Sequence, residues 1–294
     1  MLNKISLKSV LSLSIYGLLI TFSHSIFAES PLWKVSKGDQ HLYIGGTIHI
    51  LSPSDYPLPA EFDNIYKQSQ LLVLETDFRK FETQEFQSKL MQEMVYKDGS
   101  SIVDKLTAET LEALEAKLKS NGIPMQAVQQ FKPGMLLSIL TVVELKKLGV
   151  VSEGVDKFYN DKSVADNKSL DKLETIDQQI KFLSEMGLSN PDDFIKYTLR
   201  DLKRLPEIFP KMKEIWRKGD MSAMDSLAVV PLKTEFPSVY EEILVKRNNA
   251  WIPQIESMLK TKEIEMILVG ALHLAGEESV LKKLESKGYK VEQY

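Results

Sequence analysis

One pattern occurs twice in this chain and constrains its fold more than any other feature. Residues 42–50 read Leu-Tyr-Ile-Gly-Gly-Thr-Ile-His-Ile, and residues 266–274 read Met-Ile-Leu-Val-Gly-Ala-Leu-His-Leu. Each is an apolar run followed by Gly, a small residue, an aliphatic residue and His. Short apolar runs closed by Gly read as buried strands. A Gly where the chain leaves a strand removes a side chain and lets other groups approach. The two copies lie near opposite ends of the chain. If their strands share one sheet, His49 and His273 stand close together just past the strand ends. That is where open α/β sheets bind ligands.

The rest of the chain agrees with a sheet built from both ends. Residues 32–35 and 42–44 flank Lys37-Gly38-Asp39 and predict a hairpin. Residues 60–68 predict a short helix, and the apolar run at 71–74 a buried strand. From about residue 82 to 259 the patterns are helical. Helices are expected over 107–119, 134–148, 177–186 and 238–260. Another is expected over 192–216, broken at Pro206 and Pro210. Strand returns at 264–269, then a helix at 276–286 and a last strand at 289–292. The expected fold is α/β, one domain over residues 29–294, with a central sheet of N- and C-terminal strands and a large helical insertion. A composition of 43% apolar and 27% charged residues suits such a core. The net charge of −4 gives no electrostatic ground for a nucleic-acid partner. The chain has no cysteine, which excludes disulfides, thiolate nucleophiles and cysteine-held metals.

Residues 1–28 have the layout of a secretory signal peptide. Lys4 and Lys8 precede an uncharged, mostly apolar stretch at 10–22, and Ile26-Phe27-Ala28 offers a small residue for cleavage. The stretch is about 13 residues, short of the roughly 20 that a spanning helix needs. A retained anchor is the alternative reading. No later stretch is long and apolar enough to span a bilayer. The expected localisation is exported, periplasmic or secreted.

Four histidines are present. His24 falls in the leader. His41 lies on the hairpin without the Gly and reads as an ordinary exposed strand residue. His49 and His273 form the matched pair. Two neutral imidazoles converging at strand ends suit a divalent metal such as Mn, Co or Zn; local packing is the competing explanation. Glu75 directly follows the strand at 71–74. It is a third ligand, a general base or a helix cap. Asp77 points to the same side and either supports a ligand or caps the helix after it. Glu174, in Leu173-Glu174-Thr175, is a candidate substrate contact beside a helix cap. Asp156, after Gly154-Val155, reads as part of a turn into a helix. Arg247 and Asn248 interrupt a helix that carries Trp251. Arg247 either clamps a substrate carboxylate through its bidentate fork or is a solvated helical residue.

Four segments in this order, Gly46-Thr47-Ile48-His49, Leu74-Glu75-Thr76-Asp77, Arg247-Asn248 and Gly270-Ala271-Leu272-His273, resemble the TraB–PrgY–GumN family. That family includes the animal TIKI proteins and is similar, more distantly, to the erythromycin esterase and ChaN-like group. Trp33, Gly154-Val155-Asp156 and Leu173-Glu174-Thr175 fit the same pattern. The resemblance covers residues 31–294 and implies an α/β fold with a helical insertion. For TIKI-like members it implies metal-dependent peptide hydrolysis favouring manganese or cobalt. Carried over by motif, His49, Glu75 and His273 form the metal and catalytic centre, with Arg247 and Asn248 beside it as substrate contacts.

The expected function is therefore an exported metal-dependent hydrolase, peptidase-like, acting on a peptide or another small substrate. A divalent ion held by His49, His273 and a carboxylate would activate water. Glu75 would be its third ligand or the base, and Arg247 would hold a substrate carboxylate or a developing oxyanion. Two other classes stay open: a non-catalytic binder of peptide, metal or haem, and an accessory protein of envelope polysaccharide assembly. Turnover separates the first from the other two.

Overall fold

The structure, a computed structural model, describes residues 30–81 and 83–294. The leader expected over residues 1–28, with His24, lies outside the described residues.

Eight strands run in chain order: β1 (Leu32–Lys37), β2 (Gln40–Thr47), β3 (Ile50–Leu51), β4 (Leu71–Leu74), β5 (Ser152–Glu153), β6 (Ser169–Lys172), β7 (Glu265–Gly270) and β8 (Lys290–Gln293). Six of them form one sheet in the order β6-β4-β7-β2-β1-β8. The four strands from β6 to β2 are mutually parallel, and β1 is antiparallel to both β2 and β8. The first hairpin closes with Lys37 opposite Gln40 around Gly38, whose φ is +63°.

Alternation along the strands explains why the sheet is central. Leu72, Leu74, Met266 and Leu268 point into one core with Phe62, Val155 and Trp216. Val73, Ile267, Val269, Leu42 and Ile44 point into another with Trp251, Ile255 and Leu284. Both faces are covered, so β4 and β7 read as unbroken apolar runs rather than as alternating ones.

The strands of the two ends meet as expected. β2 and β7 lie side by side, with Thr47 opposite Gly270. Two expectations need correction. The sheet is not built from terminal strands alone, because β6 comes from the middle of the chain and pairs with β4. Its sequence, Ser-Leu-Asp-Lys, carries a single apolar residue because it is an edge strand. The helix Pro191–Lys218 also runs unbroken through Pro206 and Pro210. Both prolines are at least partly exposed and four residues apart, so water can take the carbonyls they free.

The middle of the chain is otherwise helical. The helices Ala108–Ser120, Pro133–Lys147 and Pro191–Lys218 share a separate core of Leu114, Leu118, Leu136, Leu140, Ile195 and Leu202. The expected helix at 238–260 is helical almost throughout, but a π-helical turn at Glu241–Val245 precedes Lys246–Met258. Among the described residues no helix is long and apolar enough to cross a membrane.

Candidate functional site

The parallel strands end on one side of the sheet, and the site residues follow them in the sheet's own order. Glu174 comes after β6, Glu75 after β4, His273 after β7 and His49 after β2. The pairing continues past the strands, since the Glu174 N–H donates to the Glu75 carbonyl at 2.8 Å. The site is thus a row of four side chains set by sheet register.

Three of them, Glu75, His273 and His49, converge on Gly270. Its backbone N–H donates to Glu75 Oε1 at 2.7 Å. A Cβ placed on Gly270 would lie 3.3 Å from His49 Nε2, 3.4 Å from Glu75 Oε1 and 3.6 Å from His273 Cδ2. The missing side chain leaves the three groups facing one small space. Gly154 serves the site in a different way. A Cβ there would stand 2.2 Å from the His49 carbonyl carbon and 2.3 Å from the Ile48 oxygen. Its absence lets the helix Val155–Ala165 begin directly beneath the His49 loop, where the Val155 N–H donates to the Ile48 carbonyl at 3.1 Å.

That packing brings Asp156 to His49. Asp156 Oδ2 lies 2.8 Å from His49 Nδ1, and its Oδ1 accepts from the Thr47 hydroxyl at 2.7 Å. Asp156 is buried, whereas the His49 side chain is 57% exposed on the cleft side. The Asp156 charge raises the His49 pKa to about 9. Sequence alone reads Asp156 as part of a turn into a helix; the structure makes it the partner that orients His49. Thr47, the small residue of the repeated motif, shares the same carboxylate.

His273 is fixed at both ring nitrogens. Nδ1 lies 2.6 Å from Asn248 Oδ1, and the Asn248 amide nitrogen donates to the Glu278 carbonyl at 2.8 Å. Asn248 thus turns its acceptor to the ring, so Nδ1 carries the proton. Nε2 keeps its lone pair and accepts from Arg247 Nη1 at 3.2 Å. Burial pushes the His273 pKa down to about 3, so the ring is neutral. Asn248 is buried and faces His273.

Arg247 is not a solvated helical residue: its fork is held between two carboxylates. Nη2 donates to Glu75 Oε2 at 2.6 Å, and Nε donates to Glu174 Oε1 at 2.8 Å. Its guanidinium lies between the Phe182 and Trp251 rings, 4.7 and 4.8 Å from their centroids. Glu174 also accepts from Trp251 Nε1 at 2.8 Å and from Gln179 Nε2. Burial works against a charge on Glu75, but Arg247 above all outweighs it and holds the carboxyl far below the usual range. Glu75 is therefore ionised and internally paired.

Asp77 does not join the row. It binds Arg79 through both oxygens and caps the turn Phe78–Lys80. His41 stays on the hairpin, its ring edge-on to Tyr43.

Two cavities flank this row. One, of about 470 Å³, is floored by Thr47, His49, Arg247, Gly270 and His273 and walled by apolar side chains of the helical insertion. The other, of about 310 Å³, lies against Arg247 and Glu174 and carries Lys181, Glu242 and Lys246 on its rim.

A divalent ion would have to take His49 Nε2, Glu75 and His273 Nε2 together. Their donor types suit one. Their engagement does not, because Arg247 is already drawn onto both Glu75 Oε2 and His273 Nε2. Among the described residues no group of three or more His, Asp or Glu is arranged to hold a metal. As the side chains lie, the residues do not fit the ion.

Comparison with known proteins gives the same grouping of motifs a family. The chain is 24% identical over 245 residues to "Uncharacterized protein YbaP" of Escherichia coli (strain K12), covering 82% of this chain and 86% of that protein. The protein of the same name in Shigella flexneri matches to the same extent. No solved structure matches. The profile of the TraB/PrgY/gumN family matches residues 31–293, which include every strand and all four residues of the row, and the chain belongs to that family.

Proposed function

We propose that the protein is an exported hydrolase that adds water across a carboxylic amide or ester bond in the cleft above Gly270. The observation that carries this reading is the convergence of His49, Glu75 and His273, from three adjacent strand ends, on the space a Gly270 side chain would fill. Proton transfer, a fixed carboxylate and a cationic donor are what acyl hydrolysis needs in one place.

The roles follow from the contacts. His49, oriented by Asp156, moves a proton at Nε2 between the cleft and the reacting bond. Glu75, held by Gly270 and Arg247, is the fixed carboxylate that orients the attacking water. Arg247 Nη1, beside His273 Nε2, is the donor nearest a developing oxyanion. The leader-like residues 1–28 support action outside the cytoplasm. The TIKI-like resemblance supports a peptide bond as one form of the substrate.

The test is turnover by the chain beginning at Glu29, read by mass spectrometry on mixed peptides, acyl amides and acyl esters. Parallel samples contain chelator, Mn²⁺, Co²⁺ or Zn²⁺. The expected result is product that falls at least about a hundredfold in His49→Ala and in Glu75→Gln. Product that needs an added ion would require Arg247 to leave Glu75 and would restore the metal to the mechanism. Ligand capture without product in any sample would overturn the hydrolase reading in favour of a binding protein.

A further inference from the structure

The two sides of the large cavity differ in kind. Its floor is polar: Thr47, His49, Arg247 and His273 belong to the site described above. Its walls are not. Leu137 and Leu145 come from the helix Pro133–Lys147, Phe209 and Met212 from Pro191–Lys218, and Ile243 and Leu244 from the π-helical turn. Away from the floor the polar lining side chains are Thr141 and Tyr197, and none is charged.

We infer that this cavity takes the hydrocarbon chain of an acyl substrate whose carbonyl lies on the polar floor. The inference rests on the hydrolase reading for the cleavage, but not for the binding. Three observations favour hydrocarbon over an apolar peptide. The walls are helical, so their backbone groups are already bonded within the helices. A peptide laid against them would bring an N–H and a C=O with every residue and find few partners. A methylene chain brings none. Size is the second point. The volume of about 470 Å³ is roughly three times the ~150 Å³ apolar cavity that holds one benzene ring, or space for somewhat more than a dozen carbons. The third is continuity. Thr47, His49 and Arg247 border the same space as Leu137 and Ile243, so a chain in the cavity leaves its carbonyl end beside Gly270.

The reaction balances with water alone. The water hydroxyl joins the acyl carbonyl carbon, the bond to the head-group nitrogen or oxygen breaks, and a proton goes to that leaving atom. The products are a carboxylic acid and an amine or alcohol.

Binding is tested apart from cleavage. Linear 1-alkanols of 4 to 12 carbons have a polar end and no cleavable bond. Titrated calorimetrically into the chain from Glu29, they should tighten by up to about fourfold for each added methylene. Leu137→Phe and Ile243→Phe fill free space, so they should keep the fold and stop the gain at shorter chains. A folded Leu137→Asn should weaken the longest alkanol about tenfold or more. Cleavage is read on acyl amides and esters of the same lengths, with kcat/KM expected to rise in step with alkanol affinity. Alkanol affinity indifferent to length, or unchanged in the folded variants, would overturn the inference. So would apolar peptides that bind as tightly as alkanols of equal apolar area. Length-dependent binding with no acyl compound cleaved would uphold the cavity's ligand and sink the hydrolase. Cleavage of short polar peptides without alkanol binding would do the reverse.

Discussion

Asp156 Oδ2 sits 2.8 Å from His49 Nδ1 across 107 residues of sequence, and the pair decides how His49 carries its proton. The ring should titrate near pH 9 by NMR, and in Asp156→Asn it should fall toward the ordinary 6.5. A raised folded-state pKa gives stability that is full below about pH 6.5 and disappears as pH rises through about 9. The stability gap between wild type and Asp156→Asn, measured by urea at pH 6 and pH 9.5, should therefore shrink at the higher pH. Equal gaps would show that Asp156 supports the fold without holding the proton.

Arg247 neutralises two buried carboxylates at once. Removing it as Arg247→Met leaves Glu75 and Glu174 without their shared cation, which should cost about 3–5 kcal/mol in urea unfolding. Arg247→Lys should recover only part of this, because one ammonium cannot reproduce a fork that spans both acids. Full recovery by Lys would mean that charge alone matters there.

Glu75 gives the opposite pH sign from His49. Its pKa is depressed, so its contribution is present above the ordinary 4.5 and is lost as pH falls below it. Acid unfolding of wild type followed by circular dichroism should be steeper than that of Glu75→Gln over the same range. Superimposable acid transitions would contradict the pairing with Arg247.

Asn248 sets a tautomer rather than a contact with substrate. Nitrogen NMR of His273 should show Nδ1 protonated in wild type and a mixture in Asn248→Leu. Turnover should drop about tenfold or more in that variant while substrate KM moves little. A change in KM alone would return Asn248 to the substrate-binding role.

The two site glycines should separate activity from stability. Gly270→Ala meets only side-chain atoms of His49, Glu75 and His273, so the fold should survive while turnover falls about tenfold or more. Gly154→Ala meets backbone at 2.2 Å and should cost several kcal/mol, of the order of 2–4, in unfolding experiments. Activity retained in Gly270→Ala would mean that the reacting atoms do not use that space.

The sequence carried β4 and β7 clearly because burial on both faces makes them unbroken apolar runs. It carried the His49 and His273 pairing because a repeated Gly-x-x-His needs a common cause. It did not show β6, whose edge position asks for only one apolar side chain. Asp156 ranked low because its role depends on a clearance, the space beneath the His49 carbonyl that only Gly154 leaves open. Arg247 was visible beside the centre, but its ion pair with Glu174 was not, because Glu174 joins the row only through β6. Residues so far apart in sequence meet only through sheet order, and that order depended on β6.

β7 occupies the middle of the sheet although it belongs to the last thirty residues of the chain. A ribosome that has already produced His49, Glu75, Glu174 and Arg247 has therefore produced nothing that works. A nascent polypeptide that stops short of β7 lacks Gly270, His273 and the strand on which β4 and β2 both pair, so the row is not yet assembled. The row comes together only when the segment that carries β7 slots between β4 and β2, so the last-made strand of the parallel set is also the one that aligns the others.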